Sequence, residues 1–320
     1  VSFLYVDRIF EIDSKKSASG IKNVTRGEPF FYRLPTGQRV LSPAVVTEAL
    51  AQLGAFLKMH STDFTKRPVL LADEFTYYTG WAEAGDQIEL NVKILDIDDD
   101  VIVSQSVAKV DGNKILEATC CRGYMLPMEE FDDRENVLRQ YENLYRPELK
   151  DQFTTSTKDR ILTPDEPSLR AKDSIRFADG LLEHVPYQKV VGFKNFSSCE
   201  PFFATHFPYK PVVPGVLLMT FMGEVCQSLI QENIEKPDRT KVLVPTFVRN
   251  ARFRKFVEPG DQCVLTAEIK EGHGDVDDSD IVVSAVMMAN NKRVMQAEMG
   301  FRTMFGSSSN ALKRENLISD

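Results

Sequence analysis

Cysteine and histidine are scarce: five cysteines and four histidines in 320 residues. Cys120, Cys121, Cys199, Cys226 and Cys263 form no CxxC pair, and the histidines have no paired spacing. No structural zinc site is expected. An odd number of thiols in mostly apolar surroundings fits reduced, buried cysteines in a cytoplasmic protein. No apolar run reaches about 18 residues, so no membrane span is expected. No basic-then-apolar segment opens the sequence either, so no signal peptide is read. Positive charge is in deficit, with 39 Lys and Arg against 47 Asp and Glu and a net charge of -8. That balance argues against general nucleic-acid binding. Hydrophobic residues at 42% and charged residues at 27% suit a soluble globular chain. The length suits two domains.

What the sequence does contain is a repeat. "IKNVTRGEPFF" (Ile21 to Phe31) matches "FKNFSSCEPFF" (Phe193 to Phe203), 172 positions later. "EAGDQIEL" (Glu83 to Leu90) matches "EPGDQCVL" (Glu258 to Leu265) at an offset of 175. A looser match links "NKILEATCCRGYM" from Asn113 with "NKRVMQAEMGFRTM" from Asn291. Two copies of one domain account for this, and two are too few for a solenoid. Each copy has one apolar helix, expected at about 44–60 and 215–235. β-rich runs such as "DQIELNVKILDI" and "IVVSAVMMA" follow, with the alternation of antiparallel strands. Helices apolar on most faces belong inside a fold. The reading is α+β, with an antiparallel sheet wrapped round a buried helix, twice. The boundaries are 1–127 for the first domain, 128–172 for a charged linker carrying a surface helix, 173–305 for the second domain, and 306–320 for a mobile tail.

"EPFFATHFPYKPVVPGVLLM" (Glu200 to Met219) resembles the signature loop of the hotdog-fold 3-hydroxyacyl-(acyl carrier protein) dehydratases. "FRKFVEPGDQ" (Phe253 to Gln262) and "YVDRIFEID" (Tyr5 to Asp13) resemble other segments of that family. The resemblance implies two tandem hotdogs forming an intramolecular pseudo-dimer. In such dehydratases one subunit supplies a histidine and the other an acid. Here the second copy has His206, but Thr220 stands fourteen residues on, where the acid belongs. The first copy has the acid and helix motif "EALAQ" (Glu48 to Gln52), but Leu34 at the histidine position. Each copy has lost the half of the site that the other keeps. Glu48 is therefore the expected partner of His206, and Leu34 with Thr220 the silent counterpart.

The chemistry needs these groups. Dehydrating a 3-hydroxyacyl thioester takes a base for the α-proton, an acid for the leaving hydroxyl, and a donor for the thioester oxygen. A histidine can be the base at neutral pH. A desolvated Glu48 can hold the proton for the hydroxyl. Gly215 opens a helix and can offer its N–H to the oxyanion. Gln52, one turn after Glu48, can orient the acid. The resemblance further implies that the Val212 carbonyl holds the second nitrogen of His206. Arg252, Arg254 and Lys255 are weaker candidates for carrier binding, with a solvated strand edge as the alternative. The acyl chain is expected in an apolar tunnel between the copies, starting at His206 and Glu48. No cofactor or metal is expected; the "DVDDSD" run (Asp275 to Asp280) lacks the glycine and glutamate of a calcium loop. The expected partner is an acyl carrier protein or coenzyme A thioester, and assembly into a larger homo-oligomer stays open. An acyl thioesterase and a non-catalytic acyl-binding protein are the competing functions. Chain length, carrier and double-bond isomerisation are not readable.

Overall fold

The computed structural model describes residues 3–25, 30–34, 38–97, 101–152, 177–196, 198, 200–232, 241–270 and 280–305. Residues 153–172 of the expected linker, 173–176 of the expected second domain, Cys199, His273, most of the "DVDDSD" run and the tail 306–320 lie outside them. The first repeat comprises β1 (Arg8–Asp13), β2 (Ser17–Asn23), β3 (Phe31–Arg33), β4 (Arg39–Leu41), α1 (Pro43–His60), β5 (Lys66–Tyr78), β6 (Gln87–Ile97), β7 (Val101–Val110) and β8 (Asn113–Pro127). After α2 (Arg134–Leu144) come β9 (Gly180–Val185), β10 (Lys189–Asn195), α3 (Gly215–Gln227), β11 (Lys241–Phe253), β12 (Gln262–Ile269), β13 (Ile281–Ala289) and β14 (Lys292–Phe305).

The alternation expected from the sequence is what buries the strands. In β6, Ile88, Leu90, Val92 and Ile94 face the core, whereas Glu89, Asn91 and Lys93 are exposed. Each half of the sheet wraps one helix. The α1 core holds Leu50, Leu53 and Leu57; the α3 core holds Phe221, Met222 and Cys226. Twelve strands form one sheet in the order β1-β2-β6-β7-β8-β5-β11-β14-β13-β12-β10-β9. The order is a palindrome in which β5 corresponds to β11, β8 to β14 and β1 to β9. The halves meet where β5 pairs antiparallel with β11, Thr76 opposite Val248 and Asp73 opposite Ala251. Phe75 stacks on Phe247 across this seam with ring centroids 5.4 Å apart. The seam sets α1 and α3 in contact. This is a tandem double hotdog.

The repeat survives to single hydrogen bonds. Gly85 and Gly260 turn at φ 94° and 91°, a region that L side chains avoid and glycine enters freely. The Gly85 N–H donates to Val24 O at 2.6 Å, and that of Gly260 to Phe196 O at 2.7 Å. The next residues, Asp86 and Asp261, accept from the N–H of Glu83 and Glu258 at 2.7 and 3.0 Å. Asp7 accepts from the Asn23 N–H at 2.6 Å, and Asp179 from that of Asn195 at 2.7 Å.

Two expectations need correction. Helix α3 ends at Gln227, eight residues early. A 3₁₀ turn over Ser228–Ile230 follows, and β9 and the turn after it hold its carbonyls: His184 Nε2 lies 2.8 Å from Ser228 O, and the Tyr187 N–H donates to Leu229 O at 2.6 Å. The helix expected on the surface of the linker, α2, is instead half inside. Val137, Tyr141 and Leu144 lie three or four residues apart, on one face, and join the first core. The four described cysteines are free thiols, and no described helix is long and apolar enough to cross a membrane.

Gly300 sits opposite Phe247 in the β11–β14 pair. A Cβ there would lie 2.1 Å from the Phe247 ring, which is buried. Gly300→Ala should push that ring off Phe75 and destabilise the fold by about 1–3 kcal/mol. Glycine in a strand is otherwise unfavourable by about 0.5–1 kcal/mol. A denaturant midpoint that rises on substitution would therefore show that the seam needs no glycine.

Candidate active site

The histidine stands in a loop that holds it from both sides. A 3₁₀ turn over Pro201–Ala204 precedes it, and the His206 N–H donates to Phe202 O at 2.9 Å. The Val212 N–H donates to His206 O at 2.9 Å, and His206 Nδ1 lies 3.1 Å from Val212 O. A carbonyl only accepts, so Nδ1 carries the hydrogen and the Nε2 lone pair is free. Burial, with a smaller push from the Arg67 cation, lowers the imidazole to about 4 against the opposing pull of Val212 O. At neutral pH the ring is an uncharged base. Gly215 begins α3 behind Pro214, so its N–H has no preceding helical carbonyl to bond. A Cβ on Gly215 would lie 3.2 Å from the Phe253 ring, tight enough to favour glycine.

Glu48 comes from α1 of the other repeat. Gln52 Nε2 donates to Glu48 Oε1 at 2.9 Å and to Phe3 O at 3.1 Å. Gln52 Oε1 accepts the Tyr5 N–H at 2.7 Å. Because Tyr5 can only donate there, the amide cannot be flipped. Burial raises the Glu48 carboxyl to about 7, opposed by Gln52 and Arg67.

The two halves share neighbours. The Phe3 ring meets the His206 ring edge-on at 5.7 Å, its carbonyl is held by Gln52, and its N–H donates to Thr205 Oγ1 at 3.4 Å. Arg67, at the start of β5, interacts electrostatically with both Glu48 and His206. Its guanidinium lies 4.0 Å over the Phe207 ring, which stacks on His206 at 4.0 Å. Desolvation lowers Arg67 to about 10, opposed by Asp132 and Glu48; it stays a cation. Phe3 and Arg67 thus link Glu48 and Gln52 with His206 and Val212.

The connector contributes too. Phe131 is fully buried and meets Phe207 edge-on at 5.2 Å. The Tyr209 N–H donates to Phe131 O at 3.2 Å, and Tyr209 Oη donates to Asp133 at 2.7 Å. Lys210 pairs with Glu130 at 3.3 Å. The histidine loop is therefore fastened to residues 130–133. A signal for Phe131 was present in the sequence, as a lone aromatic in the charged run "MEEFDDREN". Arg67 was visible only as a cation beside an apolar run.

The silent counterpart is a different place. Leu34 is buried with Val40 and Val244. Thr220 donates back to Val216 O at 2.9 Å. Pro43 occupies the position equivalent to Gly215, so no backbone N–H stands there. Of the basic candidates, Arg252 is half-buried near Asp73 and Glu74, while Arg254 and Lys255 are exposed. Among the remaining histidines, His60 Nδ1 lies 2.7 Å from Ser14 Oγ, and His184 holds the Ser228 carbonyl. No metal-binding cluster occurs among the described residues.

Residues 1–119 and 176–298 match the FabA-like domain. The chain belongs to that family, twice over. It is 43% identical over 84 residues to the 3-hydroxyacyl-[acyl-carrier-protein] dehydratase FabZ of Geobacter metallireducens, covering 26% of this chain and 56% of that protein. To the FabZ of Alkalilimnicola ehrlichii it is 35% identical over 123 residues, covering 37% of this chain and 79% of that one. The match to the Geobacter protein thus spans just over half of that relative's length. Among solved structures, a MaoC-like dehydratase shares the fold over 93% of this chain and 98% of its own, at a TM-score of 0.51 and 12% identity. A putative oleoyl thioesterase from Lactobacillus plantarum does so over 90% and 96%, at 0.54 and 10%.

Two outcomes are expected. The Glu48 carboxyl is raised in the fold, so the unfolded chain ionises first as pH rises. Stability should fall from about pH 4.5 to about pH 7 and then level. Denaturant melts of Glu48→Gln should lack that component; parallel curves for both proteins would place Glu48 in solvent. Phe131→Ala should cost about 3–5 kcal/mol through the cavity it leaves. Limited proteolysis should then cut the loop around Tyr209 first.

Proposed function

We propose that the chain dehydrates 3-hydroxyacyl thioesters to trans-2-enoyl thioesters at one composite site, with an acyl carrier protein as carrier. Residues 1–127 supply the acid and 173–305 the histidine, the two units working as a pseudo-dimer. The observation that carries this reading is the complementary loss. Histidine, acid and oxyanion N–H are each missing from one pseudo-site, and each is present around the other. Unselected decay would spread losses over both.

The neutral Nε2 of His206 takes the α-proton as the Cα–H bond breaks. Protonated Glu48 gives its proton to the 3-hydroxyl, the C–O bond breaks, and water leaves as the double bond forms. Charge gathering on the thioester oxygen meets the Gly215 N–H. The imidazolium proton then returns to the Glu48 carboxylate for the next turnover. Val212 fixes the imidazole tautomer and Gln52 fixes the carboxyl. Arg254 and Lys255, exposed near Phe256 and the His206 loop, suit an acidic carrier; Arg252 is less available.

Enoyl product should be detected by mass from a 3-hydroxyacyl carrier-protein series. Release of free thiol instead would favour a thioesterase, and neither product an acyl-binding protein. His206→Ala and Glu48→Gln should each lower turnover on the order of 10²–10⁴-fold, and the double variant little further, because both serve one step. Leu34→Met should keep turnover near wild type. The kcat/KM profile should rise through about pH 4 as His206 loses its proton, and fall through about pH 7 as Glu48 loses its own. Full turnover in Glu48→Gln would sink the composite site.

A further inference from the structure

Neither proton transfer nor tautomer control accounts for the cation that stands beside both His206 and Glu48. Arg67 is the second residue of β5, opposite Leu126 of β8. It is half-buried, and loss of water is the largest influence on its guanidinium. A charge taken out of water is ordinarily paired. Among the described residues, no hydrogen bond or ion pair engages this one. It lies 4.0 Å over the ring of Phe207, the residue that follows the base in the chain. An aromatic face is a surface that a planar, weakly hydrated cation accepts.

Strand register identifies the counterpart of Arg67 in the second repeat. Leu126 of β8 and Met304 of β14 are 178 positions apart, like Asn113 and Asn291. Met304 stands opposite Val242 of β11. Valine therefore takes the place of Arg67 at the silent pseudo-site. The cation has been kept on the same side as the histidine and the acid.

The titratable groups that face this cation are Glu48 from α1, His206 from its loop and Asp132 from the connector. Nearby, Glu130 is paired with Lys210, and Asp133 accepts from Tyr209. Helix α3 brings no acid in its first turn. A fixed cation opposes a second positive charge on His206 and favours a negative one on Glu48. Both groups then release their protons more readily. The range in which His206 is neutral and Glu48 protonated moves to lower pH, with its width nearly unchanged.

We propose that Arg67 is a positioning residue for the composite site, whose charge, held against Phe207 across the gap between the repeats, acts on base and acid together and sets the pH range over which the pair works. The work done in that range rests on the dehydration proposed above. The link of Arg67 to Glu48 and His206 does not.

The test follows the Glu48 carboxyl by carbon-13 NMR in the full chain, labelled on glutamate, its resonance being the one that Glu48→Gln removes. The pH profile of kcat/KM is measured beside it. Arg67→Met and Arg67→Gln remove the charge, and Arg67→Lys keeps it. Both neutral variants should raise the Glu48 titration and both limbs of the profile by about one pH unit. Arg67→Lys should bring them back near wild type. A residue that only braces the Phe207 loop would lower kcat and move neither limb. A Glu48 carboxyl that titrates alike in wild type and in the neutral variants overturns the proposal, as does a lysine variant that behaves like the neutral ones. If enoyl product forms in either case, the dehydration stands without Arg67. A carboxyl that moves as expected with no enoyl product upholds the role of Arg67 and counts against the dehydration alone.

Discussion

Everything in this molecule hangs on the antiparallel pairing of β5 with β11. A six-stranded hotdog sheet has two edges, and an open edge presents unpaired N–H and C=O groups. Joining the repeats at β5 and β11 satisfies one edge of each. It also turns one repeat onto the other about an axis through the seam, so that α1 and α3 touch. The His206 loop of the second repeat then reaches Arg67, on the strand of the first that forms the seam. Phe3 spans the same gap from the N-terminal side, with its carbonyl on Gln52 and its ring on His206.

Fusion explains why the two pseudo-sites differ. In a dimer of identical chains, every substitution falls on both sites at once. Two repeats in one chain are free of that rule. The bonds that shape the scaffold have stayed duplicated, from Asp7 and Asp179 to Gly85 and Gly260. The positions proposed to carry chemistry have parted. The connector takes sides too, since Phe131 and its neighbours fasten the histidine loop, while the corresponding β3–β4 turn carries Leu34 in an apolar cluster.

Much of this was legible in the sequence, for identifiable reasons. The repeat showed because backbone turns such as EAGDQ and EPGDQ constrain residue type strongly. Glu48 showed because its spacing from the matched Glu28 equals that from Glu200 to Thr220. The helix ends were less legible: α3 stops where carbonyls beyond Gln227 find partners in β9 and its turn, and that is a tertiary fact. Arg67 and Phe3 were not legible either. Each matters for what lies across a fold-distant gap, and no local pattern encodes that.

The covalent joining of the two repeats has a consequence for dilution. Two separate hotdogs hold a shared site only while their concentration exceeds their dissociation constant, so part of such an enzyme comes apart at low expression. Here the partner is always present at the effective concentration set by the connecting chain, which does not change with dose. Pairing of the repeats should then persist down to trace amounts of chain. The same link disfavours exchange of halves between molecules at low concentration.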